Sequence, residues 1–269
     1  MLQHVNGSVI IEDASAYHAH PALSASGIKE FLRSPMHYKH RYIDKNVPKP
    51  TDAMRFGTLV HLALIEPKKF RENMAIEPDC RRNTNQYKDW LGGLRPTAVV
   101  VSTEEAEAIV GMKKSLESHP NAMDLLERGI AEHSMYFERD GISCKSRPDF
   151  LHEDRLLVEL KTARDASYEF FHREIWNRRY DVQAAWNIDA ANQVFGDIRS
   201  LSFIVIEKEP PYPVAVYVAD DFVVEMGRET YKKMLPRFKE CLESNTWPGY
   251  QKEAQNISLP GWVGWRENQ

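Results

Sequence analysis

Apolar runs separated by turn residues predict a β-sheet in the middle of the chain. Residues 134–139, 142–150 and 156–162 are three such runs, separated by Gly141 and by the polar residues 152–155. Short runs bounded in this way are typical of strands joined by hairpin turns. We therefore predict that the three segments form an antiparallel meander. The third segment begins LLVEL and is apolar on both faces, which is typical of a central strand covered on both sides.

Apolar residues that recur at helical spacing predict helices around this sheet. The predicted helices comprise residues 24–33, 54–66, 103–118, 122–128, 166–176, 180–195 and 223–243, and two further strands comprise residues 201–207 and 214–219. Residues 79–86 are predicted as a polar loop, with a short helix around Trp90 and a short apolar stretch at 99–102. Asp165 is expected to cap the helix that follows it. This order of elements predicts one α/β domain over residues 1–269, with a mixed central sheet flanked by helices.

Three ionisable residues mark the predicted meander. Asp149 closes its second strand, and Glu159 and Lys161 lie two apart on the third, so that their side chains share a face. Two carboxylates and a lysine form a site that suits Mg²⁺, with the remaining positions left to water and phosphate oxygens. Glutamate and lysine two apart are also a common surface pair that contributes little. The apolar surroundings favour the metal site, because charges inside a covered strand are costly unless paired or bound to metal.

Several other polar residues allow two interpretations. His61 lies on an otherwise apolar helix, where a hydrogen-bonded core histidine is the common case and a metal ligand the alternative. Ser24 or Ser26 can cap the helix that follows, and a hydroxyl beside free helix N–H groups also suits a phosphate. The basic and aromatic residues 37–42 (HYKHRY) either stack on bases and contact phosphates, or form a solvated helix face with the tyrosine stems packed down.

The composition narrows the class of protein. The 269-residue chain has a net charge of −4, which argues against a surface coated in basic residues but not against a local positive groove. Cys80, Cys144 and Cys241 form no CxxC pair, so a zinc ribbon or an iron–sulfur cluster has no support, and sparse cysteines fit a reducing compartment. No signal-peptide pattern and no apolar stretch of roughly 18 residues is present. We expect a soluble, cytoplasmic protein with no membrane partner.

The order of the charged residues resembles a known signature. Pro148-Asp149, a nine-residue spacer and Glu159-Leu-Lys161 resemble the motif of the PD-(D/E)xK nuclease superfamily. Further blocks, LSASG at 23–27, SPMHY at 34–38, FGTLVH at 56–61 and RYDVQ at 179–183, are similar to the exodeoxyribonuclease VIII type of nuclease domain, a relative of phage lambda exonuclease. The resemblance extends from about residue 23 to residue 195, with a looser match beyond.

The resemblance implies a restriction-endonuclease-like fold that hydrolyses DNA phosphodiesters. It implies 5′ to 3′ degradation of linear double-stranded DNA, which leaves 3′ single strands for recombination by strand annealing. One or two Mg²⁺ ions are expected at the site, and Mn²⁺ is expected to substitute. The implied ligands are His61, Asp149, Glu159 and the backbone carbonyl of Leu160. Lys161 is implied to orient or deprotonate the attacking water, or to stabilise the transition state.

Other residues are implied to support this site. Glu132, just before the first strand of the meander, adds a ligand, holds a water or is an ordinary strand-entry residue. Gln183 and Tyr180 belong to a block that lies beside the active site in the family. The candidate DNA contacts are Ser24, Ser26, Arg147 and Arg179. Arg147 lies two residues before Asp149 and hence on the same face, where we expect it to pair with Asp149 or to reach a phosphate.

The resemblance also suggests partners. We expect a homo-oligomeric ring, trimeric or tetrameric, that acts on double-stranded DNA ends and works with a single-strand annealing protein. Two alternatives remain open. One is a structure-specific or single-strand DNA endonuclease, because a fold does not fix a substrate. The other is a non-catalytic DNA-binding scaffold with a decayed site, against which the intact Asp149, Glu159 and Lys161 speak.

Overall fold

The computed structural model describes residues 7–198 and 200–259 of the chain. The strands are β1 (Ser8–Ile10), β2 (Met74–Ile76), β3 (Val99–Val101), β4 (Gly129–Ala131), β5 (Ser134–Arg139), β6 (Ile142–Ser146), β7 (Phe150–His152), β8 (Leu156–Ala163), β9 (Ser200–Glu207) and β10 (Val214–Val218). The helices are α1 (Ala14–Ala19), α2 (Ala25–Arg33), α3 (Pro35–Tyr38), α4 (Asp52–Ile65), α5 (Pro67–Asn73), α6 (Asn85–Gly92), α7 (Thr103–Glu117), α8 (Pro120–Glu127), α9 (Tyr168–Asn177), α10 (Tyr180–Phe195) and α11 (Asp221–Ser244), with a π-helix at Lys39–Ile43.

A five-stranded mixed sheet forms the centre of the fold. Its strand order is β10-β9-β8-β7-β4, in which β8 and β9 are parallel and the other neighbours are antiparallel. A parallel pair needs a crossover connection, and α9 and α10 supply it between β8 and β9. α10 packs on one face of the sheet, while α4, α7 and α8 contact the other. The predicted α/β fold with a mixed central sheet is confirmed.

The predicted three-stranded meander is wrong, because the chain changes sheets within it. β5 and β6 pair with each other and with β1 in a separate three-stranded sheet, and β6 ends at Ser146. β7 begins at Phe150 and pairs with β8 in the central sheet. Pro148 lies between them, and proline has no N–H group to donate to a strand ladder. Asp149 therefore lies at the crossing between the two sheets and not on a strand.

The polar loop predicted at residues 79–86 extends to residue 84, and α6 is the expected short helix at Trp90. On either side of them, β2 and β3 form a parallel pair. One local prediction needs correction. Ser167, not Asp165, is the N-cap residue of α9. The N–H of Ala166 donates to Oε1 of Glu207 at 2.8 Å, which holds that residue outside the helix.

The tyrosines of residues 37–42 are used inside the fold. Tyr38 is buried, and its ring stacks on the rings of Tyr42 and Trp247, with centroid distances of 5.0 and 5.7 Å. Tyr38 is thus stacked by two rings and offers no free face to a base. For Tyr38 the alternative in which the ring packs down describes the structure, and contact of the basic residues with phosphate stays a prediction.

Two expectations from the composition can be compared with the structure. Over residues 7–198 and 200–259, no helix is long and apolar enough to cross a membrane. Cys80, Cys144 and Cys241 are all free thiols. The extent of the domain over the full 1–269 range stays a prediction, because the ends of that range lie outside the described residues.

The contact between α10 and α11 depends on Gly227. A Cβ atom at this position would lie 2.1 Å from the carbonyl oxygen of Asp181, a backbone atom that cannot move without the helix. We therefore expect Gly227→Ala to lower the free energy of unfolding by about 1–3 kcal/mol, the usual cost of overpacking. Urea denaturation of both proteins measures this difference.

Gly92 provides a matched control. A Cβ atom there would meet nothing within 4 Å, and the residue is also helical. Gly92→Ala is expected to leave the stability unchanged or to raise it by up to about 1 kcal/mol, because alanine favours helix over glycine. Equal stability of Gly227→Ala and the wild type would contradict the proposed close helix contact.

Candidate active site

A cleft opens beside the point where the chain crosses from one sheet to the other. Its volume is about 800 Å³, and its lining includes His61 from α4, Glu132 and Asp149 from the two loops at the crossing, and Lys161 from β8. The sequence placed these residues far apart, and the fold brings them together. The cleft is therefore the candidate active site.

Three of these side chains are close enough to share one metal ion. Among the described residues, ligand atoms of His61, Glu132 and Asp149 all lie within 4.8 Å of one another. Nε2 of His61 is 2.9 Å from Oδ1 of Asp149, and Nδ1 is 3.4 Å from Oε1 of Glu132. One imidazole and two carboxylates are donors that suit Mn²⁺ and Mg²⁺, so the residues present fit the predicted ion.

The backbone fixes the two carboxylates relative to each other. The N–H of Glu132 donates to the carbonyl oxygen of Asp149 at 3.1 Å, one residue beyond the β4–β7 pairing. Glu132 adopts a left-handed backbone conformation with φ of 54°. The side chain of Glu132 thereby lies beside His61 and Asp149. Of the interpretations that the sequence allowed for Glu132, this position favours a metal ligand.

The charges of this group depend strongly on one another. Burial lowers the pKa of His61, but the Asp149 carboxylate, its hydrogen bond and Glu132 outweigh burial and raise that pKa to about 9. Burial raises the pKa of Glu132, and the Asp149 charge raises it further. Burial also raises the pKa of Asp149, but His61 and Lys161 more than reverse this effect and lower it. A protonated imidazole thus lies between two carboxylates, where a divalent cation would compensate the same negative charge.

Asp149 also links the group to β8. Its Oδ2 accepts a hydrogen bond from the N–H of Leu160 at 2.6 Å. The pairing of β7 with β8 involves only Val158 and Leu157 of β8, so Leu160 lies beyond the end of β7. Since the N–H and C=O groups of a strand residue point to the same side, the Leu160 carbonyl also faces the cleft. This orientation is compatible with the predicted role of that carbonyl as a ligand, which stays a prediction.

Glu159 is fully buried and is held by three donors. Its Oε2 accepts from Nζ of Lys161 at 2.5 Å and from Nε2 of Gln183 at 2.6 Å, and its Oε1 accepts from Nδ2 of Asn187 at 2.6 Å. Burial and the nearby Asp149 charge raise the pKa of Glu159, against the opposing effect of Lys161. The group of three potential ligands does not contain Glu159, so its assignment as a metal ligand stays a prediction.

Lys161 is a cation at neutral pH. Burial lowers the pKa of its ammonium group, but the Glu159 and Asp149 carboxylates outweigh this effect and raise it. Nζ also lies 5.3 Å from the centroid of the Tyr180 ring, which lines the same cleft. A protonated lysine can orient a water molecule or stabilise negative charge, but it cannot accept a proton.

The sequence analysis missed Lys29, which lies on α2. Its Nζ donates to Oε1 of Gln183 at 3.0 Å and lies 5.0 Å from the Tyr180 ring centroid. Burial, followed by the charge of Lys161, lowers the pKa of Lys29 to about 7. Its position one helical turn after Ser26 is the signal in the sequence that could have identified it.

The candidate DNA contacts differ in their surroundings. Ser24 caps α2, because its side chain accepts from the N–H of Gly27 at 3.2 Å, whereas Ser26 is exposed and lines the cleft. Arg147 also lines the cleft, but it forms an ion pair with Glu132 at 2.5 Å and not with Asp149. The expected pairing of Arg147 with Asp149 assumed that both residues lie on one strand. That strand, β6, ends at Ser146, so the two side chains need not share a face.

Arg179 is directed away from the cleft. Its Nη2 lies 3.0 Å from Oδ2 of Asp181 and donates to the hydroxyl of Thr230 at 2.9 Å, so the guanidinium binds α11. Arg179 has a left-handed backbone (φ 54°) and immediately precedes α10. Arg178 lines the cleft instead, as does Lys208 at the end of β9, and neither was a candidate from the sequence.

Comparisons with solved structures support the fold. A crystal structure from Eubacterium rectale, described as a candidate exonuclease, superposes with a TM-score of 0.66 and 14% sequence identity, covering 93% of this chain and 97% of the other. The structure of SSO0001 gives a TM-score of only 0.24 at 17% identity, over 63% of this chain and 83% of that one, and carries no argument. No curated protein matches the chain.

The sequence also matches a family profile. Residues 24–260 match DUF3799, described as a PDDEXK-like domain of unknown function. This match covers most of the chain and includes every residue of the site. The chain therefore belongs to the PDDEXK-like family DUF3799, and with it to the PD-(D/E)xK nuclease superfamily.

Proposed function

We propose that this protein is a divalent-metal-dependent exodeoxyribonuclease that degrades linear double-stranded DNA from 5′ to 3′ and leaves 3′ single strands for strand annealing. The observation that supports it most is the convergence of His61, Glu132, Asp149 and Lys161 on one cleft of a PDDEXK-like fold. The resemblance to exodeoxyribonuclease VIII supports the polarity and the type of substrate.

The metal is best held by His61, Glu132 and Asp149, with Glu159 and the Leu160 carbonyl as further predicted ligands. One or two Mg²⁺ ions, or Mn²⁺ in their place, would lower the pKa of a bound water and neutralise charge on the reacting phosphate. His61 must lose its proton to act as a ligand, so metal binding and proton release are coupled. Burial raises the pKa of Glu132 and of Glu159, and a bound cation would lower both again by favouring the ionised carboxylates.

Lys161 then acts as the cation next to the reacting phosphate. Its raised pKa keeps it protonated at neutral pH, so we assign it to orienting the water or stabilising transition-state charge, and not to proton abstraction. The ion pair with Glu159 fixes the ammonium group beside Asp149. A fixed charge of this kind needs little reorganisation during the reaction.

Cations on the walls of the cleft would bind the DNA backbone. The hydroxyl of Ser26, Arg178 and Lys208 all line the cleft. Arg147 lines it as well, and it would reach a phosphate from its ion pair with Glu132. This arrangement places positive charge locally in a chain whose net charge is −4. The catalytic carboxylates are largely buried, and a strand end reaches such a recessed site more readily than the middle of a closed duplex.

The remaining parts of the proposal concern partners. Repeated cleavage without release requires that the enzyme stay on its DNA, and a homo-oligomeric ring, trimeric or tetrameric, meets this requirement. A single-strand annealing protein would bind the 3′ strand that is produced. The exonuclease itself would act in the cytoplasm, together with its DNA substrate.

The polarity can be measured with linear duplex DNA labelled separately at each 5′ and 3′ end, in Mg²⁺, with a covalently closed circle as the control. We expect the 5′ label to be released first as nucleotides, and the circle to remain intact, because the proposed reaction starts at a 5′ end. Denaturing gels at short times give the order of release.

Each other result has a defined meaning. Earlier release of the 3′ label would overturn the polarity. Cleavage of the circle would indicate an endonuclease on the same fold. If neither Mg²⁺ nor Mn²⁺ supports cleavage of any of these DNAs, the catalytic proposal is wrong and a DNA-binding scaffold becomes the better explanation.

Lys161→Ala is expected to reduce the rate of cleavage at saturating DNA by about 10²–10³-fold, as expected for loss of one charge-stabilising group. Circular dichroism should show the same secondary structure, with a lower melting temperature, because Glu159 is left buried without its cation. Lys233→Ala is the matched control, because Lys233 pairs with Glu229 on the surface of α11 and touches no residue of the cleft. A rate for Lys161→Ala near that of the control would refute the assignment.

Arg178 and Arg179 can be separated by their kinetics. Arg178→Ala is expected to raise the KM for DNA and to reduce the slope of log affinity against log salt by about 1, because it removes one phosphate contact. Arg179→Ala should instead lower thermal stability, since it leaves Asp181 buried without its cation. The reverse pattern, with the salt slope changed only by Arg179→Ala, would restore Arg179 as the DNA contact.

A further inference from the structure

Two buried polar residues outside the nuclease motif hold the Glu159 carboxylate. Nδ2 of Asn187 donates to Oε1 of Glu159 at 2.6 Å, and the hydroxyl of Ser146 donates to Oδ1 of Asn187 at 2.8 Å. Asn187 and Ser146 are only 3% and 1% exposed, so water does not compete for these bonds. We infer that the Ser146–Asn187 pair positions Glu159 for metal binding, an inference that rests on the proposed metal-dependent function.

The hydroxyl of Ser146 determines which way the amide points. An asparagine side chain offers an oxygen acceptor on one side and an N–H donor on the other. Because the Ser146 hydroxyl donates to Oδ1, the NH₂ group is turned toward the carboxylate. Without that hydroxyl, a rotated amide would place its oxygen against the negative Glu159, which is unfavourable in a buried site.

The two oxygens of Glu159 are held from different directions. Oε1 is bound by Asn187, whereas Oε2 is bound by Lys161 and Gln183. Ser146 is the last residue of β6, which belongs to the three-stranded sheet, so the pair connects that sheet through α10 to β8. The carboxylate can therefore turn neither about its long axis nor toward a different partner without breaking a bond.

The bond from Asn187 satisfies the second oxygen of the buried carboxylate and also fixes its orientation. Lys161 already supplies an opposite charge, and Gln183 supplies a second donor to the same oxygen. The additional bond to Oε1 fixes orientation, and groups that orient a metal ligand in this way typically change metal affinity or activity by about 10–100-fold when they are removed. The Ser146–Asn187 pair thus acts through Glu159 and does not itself contact the substrate.

The test compares Asn187→Ala and Ser146→Ala with Asn192→Ala. Asn192 lies on the same helix, but its Oδ1 accepts from the N–H of Ile198 at 2.7 Å, outside the cleft. Calorimetric titration gives the Mn²⁺ affinity of each protein, and steady-state kinetics on linear duplex DNA give its kcat and KM. These two readouts separate positioning from stability, which thermal unfolding reports independently.

We expect Asn187→Ala to weaken Mn²⁺ binding by about 10–100-fold and to lower kcat by a similar factor, with the KM for DNA within about twofold of the wild type. Ser146→Ala should change both quantities in the same direction by a smaller factor, and it tests the inference even if Asn187→Ala fails to fold. Asn192→Ala should lower only the melting temperature, because it removes a bond to the backbone.

The outcomes are distinct from those that test the proposed function. Unchanged Mn²⁺ affinity and kcat in folded Asn187→Ala or Ser146→Ala would overturn the positioning role and leave a structural one. A wild type that binds Mn²⁺ but cleaves no DNA would overturn the proposed function, while weaker Mn²⁺ binding by Asn187→Ala would still support the inference. A wild type that binds no Mn²⁺ would overturn both.

Discussion

The site depends on the position of Asp149 at the crossing between two sheets. Proline at 148 stops strand pairing, so β6 ends before the crossing and β7 starts after it. The carboxylate that follows is free of any strand and binds Nε2 of His61 on one side and the N–H of Leu160 on the other. One side chain therefore connects α4, the crossing loop and β8.

The charges around this residue form a balanced group. Glu132, Asp149 and Glu159 are the carboxylates, and each is in contact with a cation: Arg147, His61 and Lys161, respectively. Pairing of this kind reduces the repulsion between neighbouring carboxylates, but it offsets the desolvation cost of the buried charges only in part. With three carboxylates and three cations, the group has no formal net charge. A bound divalent cation would add positive charge to it, and loss of the His61 proton in our proposal removes part of that charge.

Much of this structure can be predicted from sequence, and the exceptions have physical causes. The helices around His61 and Gln183 follow from periodicity, and the pairing of Glu159 with Lys161 follows from strand alternation. The false meander came from extending a strand through Pro148, although a proline in a predicted central strand argues against that assignment. Residue spacing could not decide between the two interpretations of Glu132, because its grouping with His61 depends on backbone pairing between distant segments.

The exchange of Arg179 for Arg178 has a similar origin. Neighbouring arginines at a helix start look equivalent in sequence, and the choice between them depends on a left-handed residue that periodicity does not reveal. Lys29 was missed for another reason. The periodicity of its helix indicates only which residues are apolar and packed inward. The partner of Lys29 is Gln183, which lies more than 150 positions away along the chain.

The burial of Glu159 argues against the scaffold alternative. A carboxylate at 0% exposure in the middle of an apolar strand has a large desolvation cost, and its pairing with Lys161 offsets that cost only in part. Apolar residues of similar size at both positions would stabilise β8 at least as well, because replacing a buried ion pair in this way is often neutral or favourable. A protein that only binds DNA has no need for this charged pair, nor for Gln183 and Asn187, which complete its hydrogen bonds. The network is explained if the carboxylate has to remain ionised and correctly oriented for a metal ion in the cleft.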